Sequence, residues 1–141
     1  GLAFVINEGE HCLEEVEAAV KQHLDDPREA VGAALELFLR TAGEDPLIHT
    51  LLSDDGTGGM LPFVTTQGVP VVQWATARLA AVIEEGWPQA PKADVGLLSE
   101  TLVRLAISYV TTPSESPDTT AVAVADLLGQ FIDRARGATR G

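Results

Sequence analysis

The residues of this chain that could do chemistry are few and scattered. Glu8-x-x-His11 has the spacing of half a di-iron carboxylate site, but such a site needs a second Glu-x-x-His and two further glutamates on facing helices. No second copy of the motif exists, so a solvated histidine on the first helix is the expectation for His11. Cys12, the single cysteine, belongs to no zinc signature. The segment DDGTGGM, residues 54–60, is rich in glycine yet has neither the GxxxxGK[ST] of a phosphate loop nor a GxGxxG after a strand. No serine stands in GxSxG, and Asp54-Asp55-Gly56 lacks the regularly alternating ligands of a calcium loop. Arg104 is different, because it interrupts an otherwise apolar helix. A guanidinium there could clamp a carboxylate or phosphate of a ligand bidentately; Glu100, four residues earlier, offers a structural partner instead. No catalytic residue is assigned, and neither a metal nor a cofactor is expected.

The elements that would position such groups are all helical. Asp26-Pro27-Arg28-Glu29 offers an Asp N-cap, Pro at the first helical position and Glu at the third to close a capping box. Asp45-Pro46 and Ser116-Pro117 repeat the Pro-initiated start. Between these marks the apolar spacing has the helical period: Val31, Leu35, Phe38 and Leu39 form one face, and Leu13, Val16 and Val20 another. Helices are expected over Glu10 to Leu24, from Asp26-Pro27 onward, Pro46 to Leu52, Val69 to Glu85, Ala93 to Thr111 and Pro117 to Arg136, with SDDGTGGMLPF as a loop or broken turn. No segment alternates with period two over strand length. The fold class is therefore all-α, with six or seven helices in a single domain.

Composition bounds what that domain can do. A chain of 141 residues, 45% hydrophobic and only 5% aromatic, makes one aliphatic core. Nine Lys and Arg against twenty-one Asp and Glu give a net charge of −12. Without grouped cations the chain holds no nucleic-acid backbone by itself, and an acidic membrane surface repels it. A lone cysteine and the absence of an apolar run of spanning length or a basic leader point to a cytoplasmic location.

The last two helices pose a packing problem. The helix from Asp94 carries Val95, Leu98, Leu102, Leu105 and Tyr109 on one line and Val103, Ile107 and Val110 on a second, so it needs cover on more than one side. In the final helix Ala121, Ala125 and Gly129 make a stripe of small residues suited to close helix approach, with Val122, Leu128, Phe131 and Ile132 beside it. Either these are central core helices, or the hairpin pairs with its copy in a two-fold four-helix bundle.

The succession DDPREAVGAALELFLRTAGEDPLIHTLLSDD, a Gly-rich break with MLPFVTTQG, a long Ala-rich helix and LLSETLVRLAISYVTTPSESPD resembles the C-terminal domain of TetR-type transcriptional repressors. EDPLIHTLL, residues 44–52, and LVRLAISYVTTP, residues 102–113, carry the likeness most specifically. The resemblance implies an effector-binding and homodimerising domain spanning residues 1–141. In it, 1–25 would link to a DNA-binding head, 26–88 and 89–112 would form the sensor core, and 93–136 the dimerisation hairpin, with Ala121, Val122, Ala125, Leu128, Gly129 and Ile132 at the interface. A pocket among the central helices would be walled by Phe38, Leu51, Met60, Phe63, Trp74, Arg78, Leu102 and Tyr109, with Arg104 as the candidate clamp. The implied partners are a second copy and a small apolar or amphipathic effector. DNA would be reached only through a helix-turn-helix that this sequence lacks. The rival readings are a small helical enzyme or carrier using the same cavity, and an interaction module without a pocket.

Overall fold

The computed structural model describes residues 2–55 and 71–136, and among these every regular element is an α-helix. In chain order they are α1 (Leu2–Lys21), α2 (Pro27–Glu44), α3 (Pro46–Asp55), α4 (Val71–Gly86), α5 (Lys92–Thr111), α6 (Pro117–Leu127) and α7 (Gly129–Arg136). The all-α expectation holds. Met60, Phe63 and the Gly-rich break lie outside the described residues, as does the side chain of Leu51. None of the described helices is long and apolar enough to cross a membrane.

Local chemistry sets the helix ends. Asp26 has an extended backbone, and its carboxylate accepts the Glu29 N–H at 3.2 Å with Pro27 in the first turn. The reciprocal half of the capping box is replaced, because the Asp26 N–H donates to the His23 carbonyl at 3.0 Å. Asp45 serves two helices at once. Its N–H donates to the Thr41 carbonyl and closes α2, while its carboxylate accepts the Leu47 N–H at 2.9 Å and opens α3. At α6 the Ser116 hydroxyl does not cap the backbone; it donates to Asp118 Oδ1 at 2.6 Å, and this hydrogen bond is the main reason the Asp118 carboxyl lies below its ordinary value.

Two helices start or end away from their expected positions. α1 begins at Leu2 rather than Glu10, because Gly9 does not stop it: a Cβ at that position would lie 3.5 Å from the Trp74 ring, so the glycine is a packing residue inside the helix. α3 continues to Asp55 rather than Leu52, taking in the first residues of the expected loop.

The expected single helix from Pro117 to Arg136 is broken at Leu128 into α6 and α7. Hydrogen bonds from Leu128 N–H to Val124 and from Ile132 N–H to Leu128, both 2.9 Å, carry the ladder across the break. The cause of the close fit beyond it is Arg28. A Cβ on Gly129 would lie 2.5 Å from the Arg28 guanidinium carbon, and the same guanidinium donates to Asp133 Oδ2 at 2.9 Å one turn further on.

α2 is the centre of the packing, with α1, α3, α5, α6 and α7 all against it. Its buried residues include Ala30, Ala34 and Ala42, which permit that approach, and Leu35 and Leu39, each worth roughly 1.5–3 kcal/mol when fully buried. Along α6, Ala125 Cβ would stand 3.7 Å from a Cβ on Gly32. The small stripe Ala121, Ala125 and Gly129 therefore receives α2 and the Arg28 side chain of its own chain. Of the residues expected at the dimer interface, Ala121, Ala125, Gly129 and Ile132 are buried within the chain and Leu128 is half-buried; Val122 alone is well exposed, at 68%. The cover that α5 needs is likewise supplied by α2, α3, α4 and α7.

Two substitutions test this close packing by urea unfolding. Gly32→Ala is expected to be neutral or to stabilise by up to about 1 kcal/mol, since its Cβ meets ordinary contact and helix propensity improves. Ala121→Leu, at a position 1% exposed, is expected to destabilise by about 1–3 kcal/mol through overpacking.

Candidate functional site

Between α1, α2, α3, α4 and α5 lies an apolar cavity of about 110 Å³. Each wall is the inward stripe of an amphipathic helix. α1 contributes Cys12, Leu13 and Val16, α2 contributes Val31, Ala34 and Phe38, α3 contributes Ile48 and Leu52, α4 contributes Trp74, Ala75 and Leu79, and α5 contributes Leu102, Val103 and Ala106. Trp87, just past the end of α4, completes the aromatic part. No charged side chain is among the described lining residues. An apolar cavity of about 150 Å³ is known to stay dry and to accept benzene, so the space suits a small hydrocarbon-like group.

The structure brings together some of the residues expected here and separates others. Phe38, Trp74 and Leu102 line the cavity. Tyr109 does not; it lines a separate, more polar recess of about 280 Å³ with Arg40, His49 and Glu115. Arg104 is exposed, its Nε 2.8 Å from Glu100 Oε2, and so makes the helical ion pair at the surface and no clamp in the cavity. Arg78, one turn from Trp74, turns to α1: its Nε and Nη2 donate to Glu17 at 3.1 and 3.2 Å, and its Nη1 donates to Glu10. The hydrogen bonds that Arg78 donates to Glu17, and then those to Glu10, hold the guanidinium above its ordinary pKa against the opposing effect of partial burial. Helical spacing put Trp74 and Arg78 on one side, but it could not show that the long arginine would reach a neighbouring helix.

The sequence reading missed several cavity residues, Cys12, Ile48 and Trp87 among them. Ile48 sits in EDPLIHTLL, and its apolar spacing with Leu52 was the available signal. His11 is exposed and pairs with Glu15 at 3.5 Å. Among the described residues no group of three His, Cys, Asp or Glu could hold a metal ion.

Cys12 is buried against the cavity, and burial, followed by the charges of Glu15, Asp45 and Glu8, pushes its thiol up to about 12. The unfolded thiol ionises near its ordinary value of 9.0, and the folded one only at higher pH. The contribution to stability is therefore present below pH 9 and declines as pH rises towards 12. Since the thiolate is the nucleophile, Cys12 in the folded chain is expected to react with iodoacetamide at pH 8.5 at least about a hundredfold more slowly than in urea-unfolded chain. Comparable rates, read by mass spectrometry, would show that the thiol is not buried.

Comparison with known proteins fits this architecture. Residues 26–130 match the family model described as the bacterial tetracyclin repressor, C-terminal domain. The chain is 29% identical over 136 residues to the HTH-type transcriptional regulator AlkX of Mycobacterium tuberculosis, an alignment that takes in 95% of this chain and 64% of that protein. It thus spans somewhat under two thirds of that relative's length. Among solved structures, the TetR family repressor AlkX from a Dietzia strain, implicated in biodegradation of n-alkanes, has the same fold, with a TM-score of 0.72 at 21% identity over 96% of this chain and 71% of that one. These relatives are transcriptional regulators, not enzymes. With the family model covering α2 through α6 and into α7, the chain belongs to the TetR family of transcriptional regulators and carries its C-terminal domain.

Proposed function

We propose that this domain senses a small apolar or amphipathic effector in the cavity between α1 and α5, and that it joins a second copy to form a homodimer. DNA binding would fall to the helix-turn-helix part that the name of the mycobacterial relative implies. The observation that carries the sensing role is the cavity wall: five helices turn apolar and aromatic side chains into one space, and a ligand held there touches all of them. An enzyme would need convergent titratable groups in that space, and the described lining supplies no charged one. The relative's link to n-alkane biodegradation agrees with an effector of hydrocarbon character.

Dimerisation is supported by apolar side chains left at the surface of the last three helices. Leu97 on α5, Val122 and Leu127 on α6, and Phe131 on α7 are exposed, Leu127 by 78%. These four replace the buried small stripe as the proposed interface. The mechanism would be a shift between two arrangements of α1 and α4: an effector that favours one of them by about 1.4 kcal/mol changes DNA affinity tenfold.

Two measurements test this reading. Titration with a neutral hydrocarbon-like ligand, followed by the fluorescence of Trp74 and Trp87, is expected to saturate. Ala34→Leu, which fills the cavity, is expected to weaken that binding at least about tenfold while keeping the chain folded; unchanged affinity would place the ligand elsewhere. Native mass spectrometry is expected to give twice the chain mass for the wild type and the single mass for Leu127→Glu with Phe131→Glu. A dimer surviving in that variant would remove these residues from the interface.

A further inference from the structure

Arg78 makes an unusual use of its guanidinium. All three nitrogens are engaged, and they engage two carboxylates on one neighbouring helix: Nε and Nη2 hold Glu17, and Nη1 holds Glu10. Glu10 and Glu17 are two turns apart on α1, roughly 10 Å along its axis. A single side chain thus spans two turns of α1 from one point on α4.

The same stretch of α4 forms a cavity wall through Trp74, Ala75 and Leu79. Contacts along the seam run in parallel order, with Gly9 against Trp74, Glu10 and Glu17 on Arg78, and Lys21 3.7 Å from Glu85. Only Arg78 in this set is both bidentate and largely shielded, its side chain 28% exposed beside Glu17 at 25%. Lys21 and Glu85 are well exposed and contribute little in water. Removing the Arg78 charge would leave two glutamates without a cation at a seam of a chain that already carries −12.

We propose that Arg78 is a latch linking cavity occupancy to the position of α1. With the latch made, α1 and α4 are held together and the cavity has its present volume of about 110 Å³. On this reading, a ligand larger than that volume parts α1 from α4, the cavity wall held by ionic contacts, and so weakens the three-nitrogen bridge. Linkage is reciprocal: whatever weakens the latch raises affinity for such a ligand by the same factor. The inference rests on the cavity being the effector site.

The test uses N-phenyl-1-naphthylamine, a neutral fluorescent probe larger than benzene, with wild-type chain, Arg78→Gln, and the double variant Glu10→Gln with Glu17→Gln. Both variants are expected to bind the probe on the order of fivefold more tightly than wild type. Wild-type affinity should rise with added salt, which screens the latch, and that of Arg78→Gln should not. Hydrogen exchange of α1 amides should be faster in wild type with probe than without, and already fast in the probe-free variants. Equal or weaker probe binding by the folded variants, with α1 exchange unaffected by the probe, overturns the latch and leaves the sensing role standing. Absence of saturable binding by every folded protein overturns both.

Discussion

The architecture depends on how closely other helices can approach α2. Five helices pack on it, and five neighbours around one helix of ordinary girth are accommodated only where its side chains are short. Ala30, Ala34 and Ala42 supply the low ground, Leu35 and Leu39 the filling, and Gly32 the near contact with Ala125. α4 stands apart, packing on α5 and α1 instead. The cavity lies in the angle this leaves, bounded by α2 on one side and α4 on the other.

That division also separates two kinds of interaction. On the α2 side the contacts are mainly between closely packed small apolar groups, with the Arg28–Asp133 ion pair at the α7 end. On the α4 side, the seam with α1 combines one aromatic contact at Gly9 with ionic contacts at its edge. Ionic contacts respond to salt and to neighbouring charge where apolar interdigitation does not. Around the cavity, the salt-sensitive contacts thus lie along the α1–α4 seam.

Much of the fold was legible in the sequence, because helix starts and periods are local properties. Asp26-Pro27 and Asp45-Pro46 marked their helices correctly. The helical period of Val31, Leu35, Phe38 and Leu39 named the face of α2 that meets the core and the cavity. What stayed hidden was which face meets which neighbour. Spacing marked the stripe Ala121, Ala125 and Gly129 as a surface for close helix approach, but it carries no address for the neighbour, which within this chain is α2. Arg78 and Arg104 look alike in sequence, each an arginine in an Ala- and Leu-rich helix. Tertiary contact gave one to the solvent beside Glu100 and the other to α1. Gly9 was missed as a helix-interior residue because its tolerance depends on Trp74, more than sixty residues away in the chain.

Asp45 is the sole residue between α2 and α3. It ends one helix with its N–H and begins the next with its carboxylate, so the junction has no slack. Phe38 before it and Ile48 and Leu52 after it reach the same cavity only because their rotational phases are locked through this one position. Inserting or deleting a residue there would turn α3 by about 100° about its axis relative to α2 and swing Ile48 and Leu52 out of the wall. Length variation among descendants of this sequence should therefore be purged at the α2–α3 junction even where side-chain replacement is accepted, making the spacing between Phe38 and Ile48 a more durable trait than the identity of either residue.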